Sequence, residues 1–183
     1  YSKEAVAKIY QAKGRPSDNP LIVHISNVNQ LDKLVAEVPE TAKTLMEHFW
    51  PGPLTLVLPK GENIAPNVTV GLSTVAVRMP DHPVALALIT ESDLPIAAPS
   101  ANVSGRPSPT LAAHVLADLN GKIAGIVDGG ATGLGLESTV LDCTSAKPMI
   151  LRPGGITKEQ LEMVIGHVEV DPALVEAGQA PKS

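Results

Sequence analysis

Aromatic residues and cysteines are scarce in this chain of 183 residues. Phenylalanine, tryptophan and tyrosine make up only 2% of it, as Tyr1, Tyr10, Phe49 and Trp50. Single-strand-binding proteins stack bases on aromatic rings, so that class of protein is disfavoured. The single cysteine, Cys143, excludes an internal disulfide framework and a zinc site built from cysteines. It fits a reducing compartment, and we expect the chain in the cytoplasm.

Positive charge and long apolar runs are also lacking. Lys and Arg number 14 against 19 Asp and Glu, which gives a net charge of −5. A protein that coats nucleic acid regardless of sequence needs a basic surface, so that class is disfavoured. The net charge does not exclude a local basic pocket. No run approaches the ~20 apolar residues of a membrane span, and no membrane partner is expected. The hydrophobic fraction of 44% is typical of a globular domain.

The common nucleotide-binding and hydrolase motifs are missing as well. The sequence has no GxxxxGK[ST] loop, no HExxH and no GxSxG. Segment 133–138 (GLGLES) begins like a dinucleotide-binding loop but lacks the third glycine and the helix after it. The five histidines are scattered, so we expect no metal site made of protein ligands.

Hydrophobic periodicity predicts an alternation of helices and strands. Helices are predicted near residues 4–12, 30–37, 40–49, 82–90, 110–119 and 157–165. Strands are predicted at 21–25, 54–58, 74–79, 95–100, 124–128, 138–142 and 149–152. With long Gly- and Pro-containing loops between them, these elements indicate an α/β or α+β fold. A capping box, Thr157 to Gln160, marks the start of the last helix.

Two cations flank the predicted end of the first helix. Gly14 and Pro16 stop that helix, so Lys13 and Arg15 are both expected to leave it and can converge on one anion. The alternative is a solvated helix end whose positive charges favour the helix dipole.

Short polar side chains follow the predicted strand 95–100. In extended chain, Ala98, Ser100 and Asn102 share one face. Hydroxyl and amide groups at a strand end suit a phosphate or carboxylate. The alternative is an ordinary turn rich in Ser and Asn.

Charged residues also occur within the predicted strands. Alternation places Thr74 and Arg78 on one strand face. An arginine on a face of small residues usually has an anionic partner, which is either a structural carboxylate or a ligand. The same reasoning covers Arg152. His24 is either a ligand contact or a satisfied core residue. With no carboxylate pair beside them, these groups predict a site for an anionic, phosphate-bearing small molecule.

Six segments carry a resemblance to a known family: KGRPSDNPLIVHI, FWPGPLTLVL, TVAVRMPDHP, PIAAPSANVSGRPSPT, GLESTVLD and ILRPGGIT. From about residue 4 to about residue 166 the chain closely resembles the YrdC/YwlC family of L-threonylcarbamoyl-AMP synthases. The resemblance implies a YrdC-like twisted mixed sheet flanked by helices, with a large concave, positively charged cavity. It also implies a reaction in which L-threonine, bicarbonate or CO2, and ATP give threonylcarbamoyl-AMP and pyrophosphate. A separate transferase then modifies the adenosine beside the anticodon of tRNA.

The resemblance further implies roles for individual residues. The K-x-R and S-x-N motifs of the family correspond to the candidate catalytic residues Lys13, Arg15, Ser100 and Asn102, which hold the triphosphate and stabilise charge on the α-phosphate. The candidate ATP-binding residues are Arg15, Asn19, Thr74, Ser100, Ser108 and Arg152. The candidate threonine-binding residues are His24, Arg78, Ala98 and Ser138. Mg²⁺ is expected with ATP, held by phosphates and water more than by protein carboxylates.

Domain boundaries follow from the same resemblance. Residues 1–170 are expected to form a synthase domain without its N-terminal strand, because the family's T-x-T-V-Y-G-L segment is not found and the chain does not begin with Met. Segment 171–183 is expected to be a linker or frayed tail that leads to a second domain. Two other functions stay open. An RNA-binding module would bind tRNA tightly and in a salt-sensitive way, and a catalytically silent regulator would bind ATP without threonine-dependent turnover.

Overall fold

The computed structural model describes residues 1–133 and 135–174, which form seven strands in a single mixed sheet, six α-helices and one 3₁₀ helix. The strands are β1 (Ile22–His24), β2 (Leu54–Pro59), β3 (Thr74–Arg78), β4 (Ile96–Ala98), β5 (Thr139–Asp142), β6 (Met149–Arg152) and β7 (Glu169–Val170). The helices are α1 (Lys3–Lys13), α2 (Glu40–Phe49), α3 (Pro66–Thr69), α4 (Pro83–Ser92), α5 (Ala112–Leu119) and α6 (Lys158–Ile165). The 3₁₀ helix covers Val28–Lys33.

The strands lie in the order β4-β1-β3-β2-β5-β6-β7. The pairs β1/β3, β2/β5 and β6/β7 are parallel. The pairs β1/β4, β2/β3 and β5/β6 are antiparallel. This mixed sheet with its helices confirms the predicted α/β or α+β class.

Side-chain alternation on β3 separates the core from an open face of the sheet. Val75 and Val77 are buried and join a core cluster that includes Leu45 of α2 and Leu161 of α6. Thr74 and Arg78 are half-buried on the opposite face, as the alternation predicted. The central strand β2 is buried along nearly its whole length, which fits its position between β3 and β5.

Local capping signals determine where the first helix ends. Gly14 has φ 62°, a left-handed conformation that glycine adopts without the strain of a Cβ atom, and its N–H bonds to the carbonyl of Gln11. Helix α1 therefore stops at Lys13, and the backbone turns so that Arg15 enters a loop. The predicted capping box of α6 is confirmed, because Thr157 and Gln160 bond to each other's backbone N–H groups at 3.1 and 2.8 Å.

Three predicted elements differ from the structure. Segment 124–128 is not a strand: it is exposed throughout, and no neighbouring strand pairs with its backbone within the described ranges. The predicted helix 30–37 is the 3₁₀ helix Val28–Lys33, after which Val35 forms a β-bridge with Lys60. The predicted strand 95–100 already ends at Ala98, where the chain turns. The short elements α3 and β7 carry too few residues to show a period, and the periodicity missed them.

The predicted tail 171–183 is described only as far as Leu174. The amide of Asp171 bonds to the carbonyl of Ile150, and Leu174 packs against the core. The remainder of that prediction lies outside the described residues. Across 1–133 and 135–174, the helices are too short and too polar for any of them to traverse a bilayer.

Candidate functional site

A cavity of about 620 Å³ opens over the face of the sheet that carries Thr74, Ala76 and Arg78. Register places Ile22 beside both Ala76 of β3 and Ala98 of β4, so three adjacent strands contribute to the floor. The alanine methyl groups fill little of the space above the sheet, which leaves room for a ligand.

Nine of the twelve predicted site residues line this cavity: Arg15, Asn19, His24, Thr74, Arg78, Ala98, Ser100, Ser138 and Arg152. They come from the loop after α1, from strands β1, β3, β4 and β6, and from the segments beside β4 and β5. The other three, Lys13, Asn102 and Ser108, are not among its lining residues.

Among the described residues, two of the three arginines in the cavity are anchored by backbone carbonyl groups alone. Arg15 donates from Nε to the carbonyl of Asn19 at 3.2 Å and from Nη2 to that of Pro20 at 2.7 Å. Arg78 donates from Nε to the carbonyl of Gly52 at 3.1 Å. A carbonyl group orients a guanidinium without neutralising it. Within the described part of the chain neither arginine has a carboxylate within 4 Å, so both keep their charge available for a ligand.

Ser138 anchors the third arginine. Arg152 donates to the Ser138 carbonyl from Nε at 3.1 Å and from Nη2 at 2.8 Å, and Nη2 also lies 3.0 Å from Ser138 Oγ. The Ser138 hydroxyl also bonds to Thr55 Oγ1 at 2.7 Å, and only 2% of Ser138 is exposed. The hydroxyl of Ser138, a predicted threonine contact that also lines the cavity, thus helps to hold Arg152 in place.

A carboxylate outside the predicted set of site residues, that of Glu137, also lines the cavity. Glu137 Oε2 lies 3.0 Å from Arg152 Nη1, and Ser108 Oγ donates to Glu137 Oε1 at 2.9 Å. Ser108 therefore reaches the cavity wall through Glu137. The signal that could have found Glu137 is its place between a glycine-rich loop and the predicted strand that starts at Ser138.

Burial and neighbouring charge shape the electrostatics near β1 and β3. His24 lies opposite Arg78 in the register of the two strands. Burial, with a smaller contribution from the Arg78 charge, lowers the pKa of His24 to about 4, so the ring is neutral at pH 7. Its Nδ1 lies 3.1 Å from the carbonyl oxygen of Ile22. Burial also lowers the pKa of Arg78, although a guanidinium stays charged at neutral pH.

Lys13 is held below the cavity surface. The prediction that it leaves the helix is wrong, because the left-handed turn comes one residue later, at Gly14. The side chain is buried and its Nζ donates to the carbonyl of Ser100. Burial, and secondly the charge of Arg15, lowers the pKa of Lys13. The described contacts of Lys13 thus tie α1 to the segment that follows β4.

Asn102 is buried and supports the backbone of its own loop. Its Nδ2 donates to the carbonyls of Val103 at 2.9 Å and Arg106 at 2.8 Å. The extended face predicted for Ala98, Ser100 and Asn102 does not continue past Ala98, because β4 ends there and the segment after it turns. Its Oδ1 is buried and accepts no hydrogen bond from the described residues. Both amide hydrogens of Asn102 are thus donated to backbone carbonyls of the described residues.

Asp118 on α5 fixes the same loop from the other side. Its Oδ2 accepts from the Val103 amide at 3.0 Å, and its Oδ1 pairs with Arg106 Nη1 at 2.7 Å. The Val103 hydrogen bond, aided by Arg106, lowers the pKa of Asp118. We name residues 99–106 the Ser100 loop. Asp118, Asn102 and Lys13 together hold this segment in place.

The contacts of Asp118 predict a pH dependence of the Ser100 loop. Because the pKa of Asp118 is lowered in the folded protein, the ionised carboxylate stabilises the folded state fully above the ordinary aspartate pKa of about 3.9. This stabilisation is lost as the pH falls through the lower pKa of the folded state. Side-chain carboxyl titration by NMR, followed together with the Val103 amide shift, should show one shared midpoint below about 3.9. In Arg106→Ala the midpoint should rise but stay depressed, because the Val103 bond remains. Separate midpoints for the two signals would contradict the link.

Comparisons with known proteins agree with this architecture. A family model named Sua5/YciO/YrdC and described as "Telomere recombination" matches residues 1–154. Threonylcarbamoyl-AMP synthase of Bacillus subtilis is 65% identical over 181 residues, covering 98% of this chain and 52% of the relative. The enzyme of the same name from Pyrococcus abyssi is 55% identical over 183 residues, covering 98% of this chain and 54% of the relative.

A solved structure shares the fold closely. The crystal structure of P. abyssi Sua5 complexed with L-threonine superposes with a TM-score of 0.92 at 57% identity, covering 94% of this chain and 51% of that one. The chain thus spans about half the length of the curated relatives it matches.

Proposed function

The chain belongs to the Sua5/YciO/YrdC family, and from this membership we propose that it makes threonylcarbamoyl-AMP and pyrophosphate from L-threonine, bicarbonate or CO2, and ATP. This reaction would make it a nucleotidyltransferase. Two relatives at 65% and 55% identity carry the name threonylcarbamoyl-AMP synthase. The similar P. abyssi Sua5 protein was crystallised in complex with L-threonine.

One observation carries the proposal: three guanidinium groups line one cavity, and two of them have only neutral anchors among the described residues. Arg15, Arg78 and Arg152 come from different parts of the chain and meet over one face of the sheet. A reaction between a carboxylate substrate and a triphosphate brings several negative charges together. Guanidinium groups can hold both through bidentate hydrogen bonds.

The β1/β3 end of the cavity is proposed to bind threonine. Arg78 is the natural partner for the carboxylate, because its Nη groups bond to no described residue and only its Nε is used. His24 is neutral near pH 7, so it adds a polar contact without a second charge. Ala98 on β4 pairs with Ile22 of β1, on the side of β1 opposite to β3. Arg78 and His24 together suit a zwitterionic amino acid.

Arg15 and Arg152 are proposed to bind the triphosphate, together with Asn19, Thr74 and Ser100. The threonine amine would take up CO2 as a carbamate, and a carbamate oxygen would attack the α-phosphorus while pyrophosphate leaves. The protein's part is to position the two substrates and to stabilise the charge on the α-phosphate. In this proposal Lys13 and Asn102 act by holding the Ser100 loop, since their described contacts are with its backbone.

A Mg²⁺ ion is proposed to enter with ATP. The donor set suits an ion carried by phosphates and water: among residues 1–133 and 135–174, no group of three or more His, Cys, Asp or Glu side chains is arranged to hold a metal. Glu137 is the carboxylate within the cavity lining that could reach such an ion. Its negative charge would otherwise oppose the phosphates.

The proposed product requires a second enzyme. The product is an activated adenylate, so a separate transferase must pass the threonylcarbamoyl group to tRNA. We place the protein in the cytoplasm, where ATP, threonine and tRNA occur together. Direct tRNA binding by this chain is the weaker alternative, because the net charge of −5 favours no extended nucleic-acid surface.

Substitution of Arg15 tests its assignment to the triphosphate. Arg15→Ala should lower turnover at least about 100-fold, the size of effect seen when a group that stabilises a transition state is removed. The free energy of unfolding should change by less than about 1 kcal/mol, because Arg15 sits in a loop and bonds to nearby carbonyls. Steady-state kinetics and urea unfolding measure the two. Lys8→Ala, an exposed change on α1, is the matched control, and turnover unchanged in Arg15→Ala would remove the assignment.

The reaction itself is tested by omission of substrates. Pyrophosphate release from ATP should require both L-threonine and bicarbonate, and leaving out either should reduce release to background. The B. subtilis relative serves as the positive control for the assay. Binding of ATP with no threonine-dependent release would favour the silent regulator. Tight, salt-sensitive tRNA binding without release would favour the RNA-binding module.

A further inference from the structure

Glu137 differs from the other acidic residues in its position. It is the carboxylate among the described residues that line the cavity, on a wall otherwise charged by three arginines. Its two oxygens are both engaged: Oε1 accepts from Ser108 Oγ at 2.9 Å, and Oε2 lies 3.0 Å from Arg152 Nη1. Arg152 is proposed above to bind the triphosphate, and the family resemblance makes Ser108 a candidate ATP-binding residue. A resident negative charge therefore occupies groups that a bound phosphate would use.

Arg152 keeps its position without Glu137. Its Nε and Nη2 are fixed by the carbonyl and hydroxyl of Ser138, which is itself buried and bonded to Thr55. Only Nη1 faces Glu137. Removing the carboxylate would thus leave the guanidinium in place with one amino group free. Glu137 blocks Arg152 more than it orients it.

The Glu137 carboxylate is also easily displaced. Its side chain is 47% exposed, and that of Arg152 is 38% exposed, so water can replace either partner. Exposed ion pairs add little to stability because water screens them. A phosphate that bridges several donors makes stronger, charge-assisted bonds than one carboxylate oxygen does. The geometry favours exchange of the carboxylate for a phosphate.

We infer that Glu137 is a resident anion of the cavity, which occupies Arg152 Nη1 and Ser108 Oγ when no ligand is bound and which a polyphosphate must displace. The return of the carboxylate to Arg152 would then oppose retention of pyrophosphate after the reaction. This inference rests on the proposed function, because it assigns the cavity to phosphate-bearing ligands. The Glu137 carboxylate and a phosphate of the ligand thus compete for the same donors, Arg152 Nη1 and Ser108 Oγ.

Pyrophosphate binding without added metal tests the competition directly. Glu137→Gln removes the charge but keeps an oxygen that can accept from Ser108, so the loop contact survives. We expect isothermal titration calorimetry to show pyrophosphate binding about fivefold tighter than in the unchanged chain, which corresponds to about 1 kcal/mol. The unfolding midpoint should remain the same. Glu40→Gln is the matched control, since Glu40 also forms a 3.0 Å ion pair, with Lys43, but lies on α2 outside the cavity lining.

Each outcome decides between distinct accounts. Tighter binding in Glu137→Gln but not in Glu40→Gln supports the resident anion. Equal binding in all three proteins overturns it while leaving the proposed function intact, and weaker binding in Glu137→Gln shows that the carboxylate is a ligand contact instead. If neither the unchanged chain nor any variant binds pyrophosphate, both the inference and the proposed phosphate site fail.

Discussion

Arg78→Ala should raise the KM for L-threonine about 100-fold while changing the KM for ATP less than about threefold. The expected loss corresponds to about 2.7 kcal/mol, which lies within the range for hydrogen bonds to a charged group. Arg78 stands on β3 opposite His24, and among the described residues it bonds only through Nε, to the carbonyl of Gly52. Its remaining donors are suited to a carboxylate. Steady-state kinetics with each substrate varied in turn measures the split.

Two further variants make this result specific to Arg78. Arg78→Lys keeps the charge but loses the planar fork, so the threonine KM should rise by an intermediate factor. Arg152→Ala should give the opposite pattern, with ATP affected more than threonine. Equal losses for both substrates in Arg78→Ala would contradict the proposed division of the cavity.

Gly154→Ala should lower the free energy of unfolding by about 2–4 kcal/mol, the largest stability effect expected here. A methyl group at this position would lie 2.5 Å from the Ser138 carbonyl carbon and from the Thr139 amide nitrogen. Both are backbone atoms and cannot rotate away. The neighbouring Gly155 amide bonds to the Glu137 carbonyl at 3.0 Å, so this close approach holds β5 against the end of β6.

The same clash should also damage the site, because Ser138 anchors Arg152. Urea unfolding measures stability, and pyrophosphate titration under folded conditions measures the site. Gly125→Ala is the matched control: its new methyl would meet no atom within 4 Å, and its unfolding free energy should change by no more than about 1 kcal/mol. Indistinguishable stabilities for Gly154→Ala and Gly125→Ala would refute the role given to the close approach.

Features of the fold that depend on neighbouring residues could be predicted from the sequence. The period of two placed Thr74 and Arg78 on one face, and the structure confirms this because a strand's alternation is local. Gly14 marked the end of α1 for a similar reason. The strand predicted at 124–128 is wrong because strand formation there depends on distant residues. That segment has apolar residues in the right number, but a strand also needs a neighbouring strand, which its own sequence does not reveal.

The details of the site depended on contacts between distant segments. The pairing of Glu137 with Arg152 and Ser108 joins three parts of the chain, and no local pattern predicts it. Asn102 donates its amide hydrogens to carbonyls of a turn that the strand pattern did not predict. The resemblance to known sequences proposed twelve site residues, and nine of them line the cavity. The structure assigns several of them to holding other residues in place.

The most direct test of the central claim is to identify the product. The chain would be incubated with ATP, L-threonine and isotopically labelled bicarbonate, and the adenylates would be analysed by mass spectrometry. We predict an adenylate with the mass of threonylcarbamoyl-AMP that carries the label only when threonine is present. AMP or threonyl-AMP without label, in an assay where the B. subtilis relative yields the labelled product, would contradict the account.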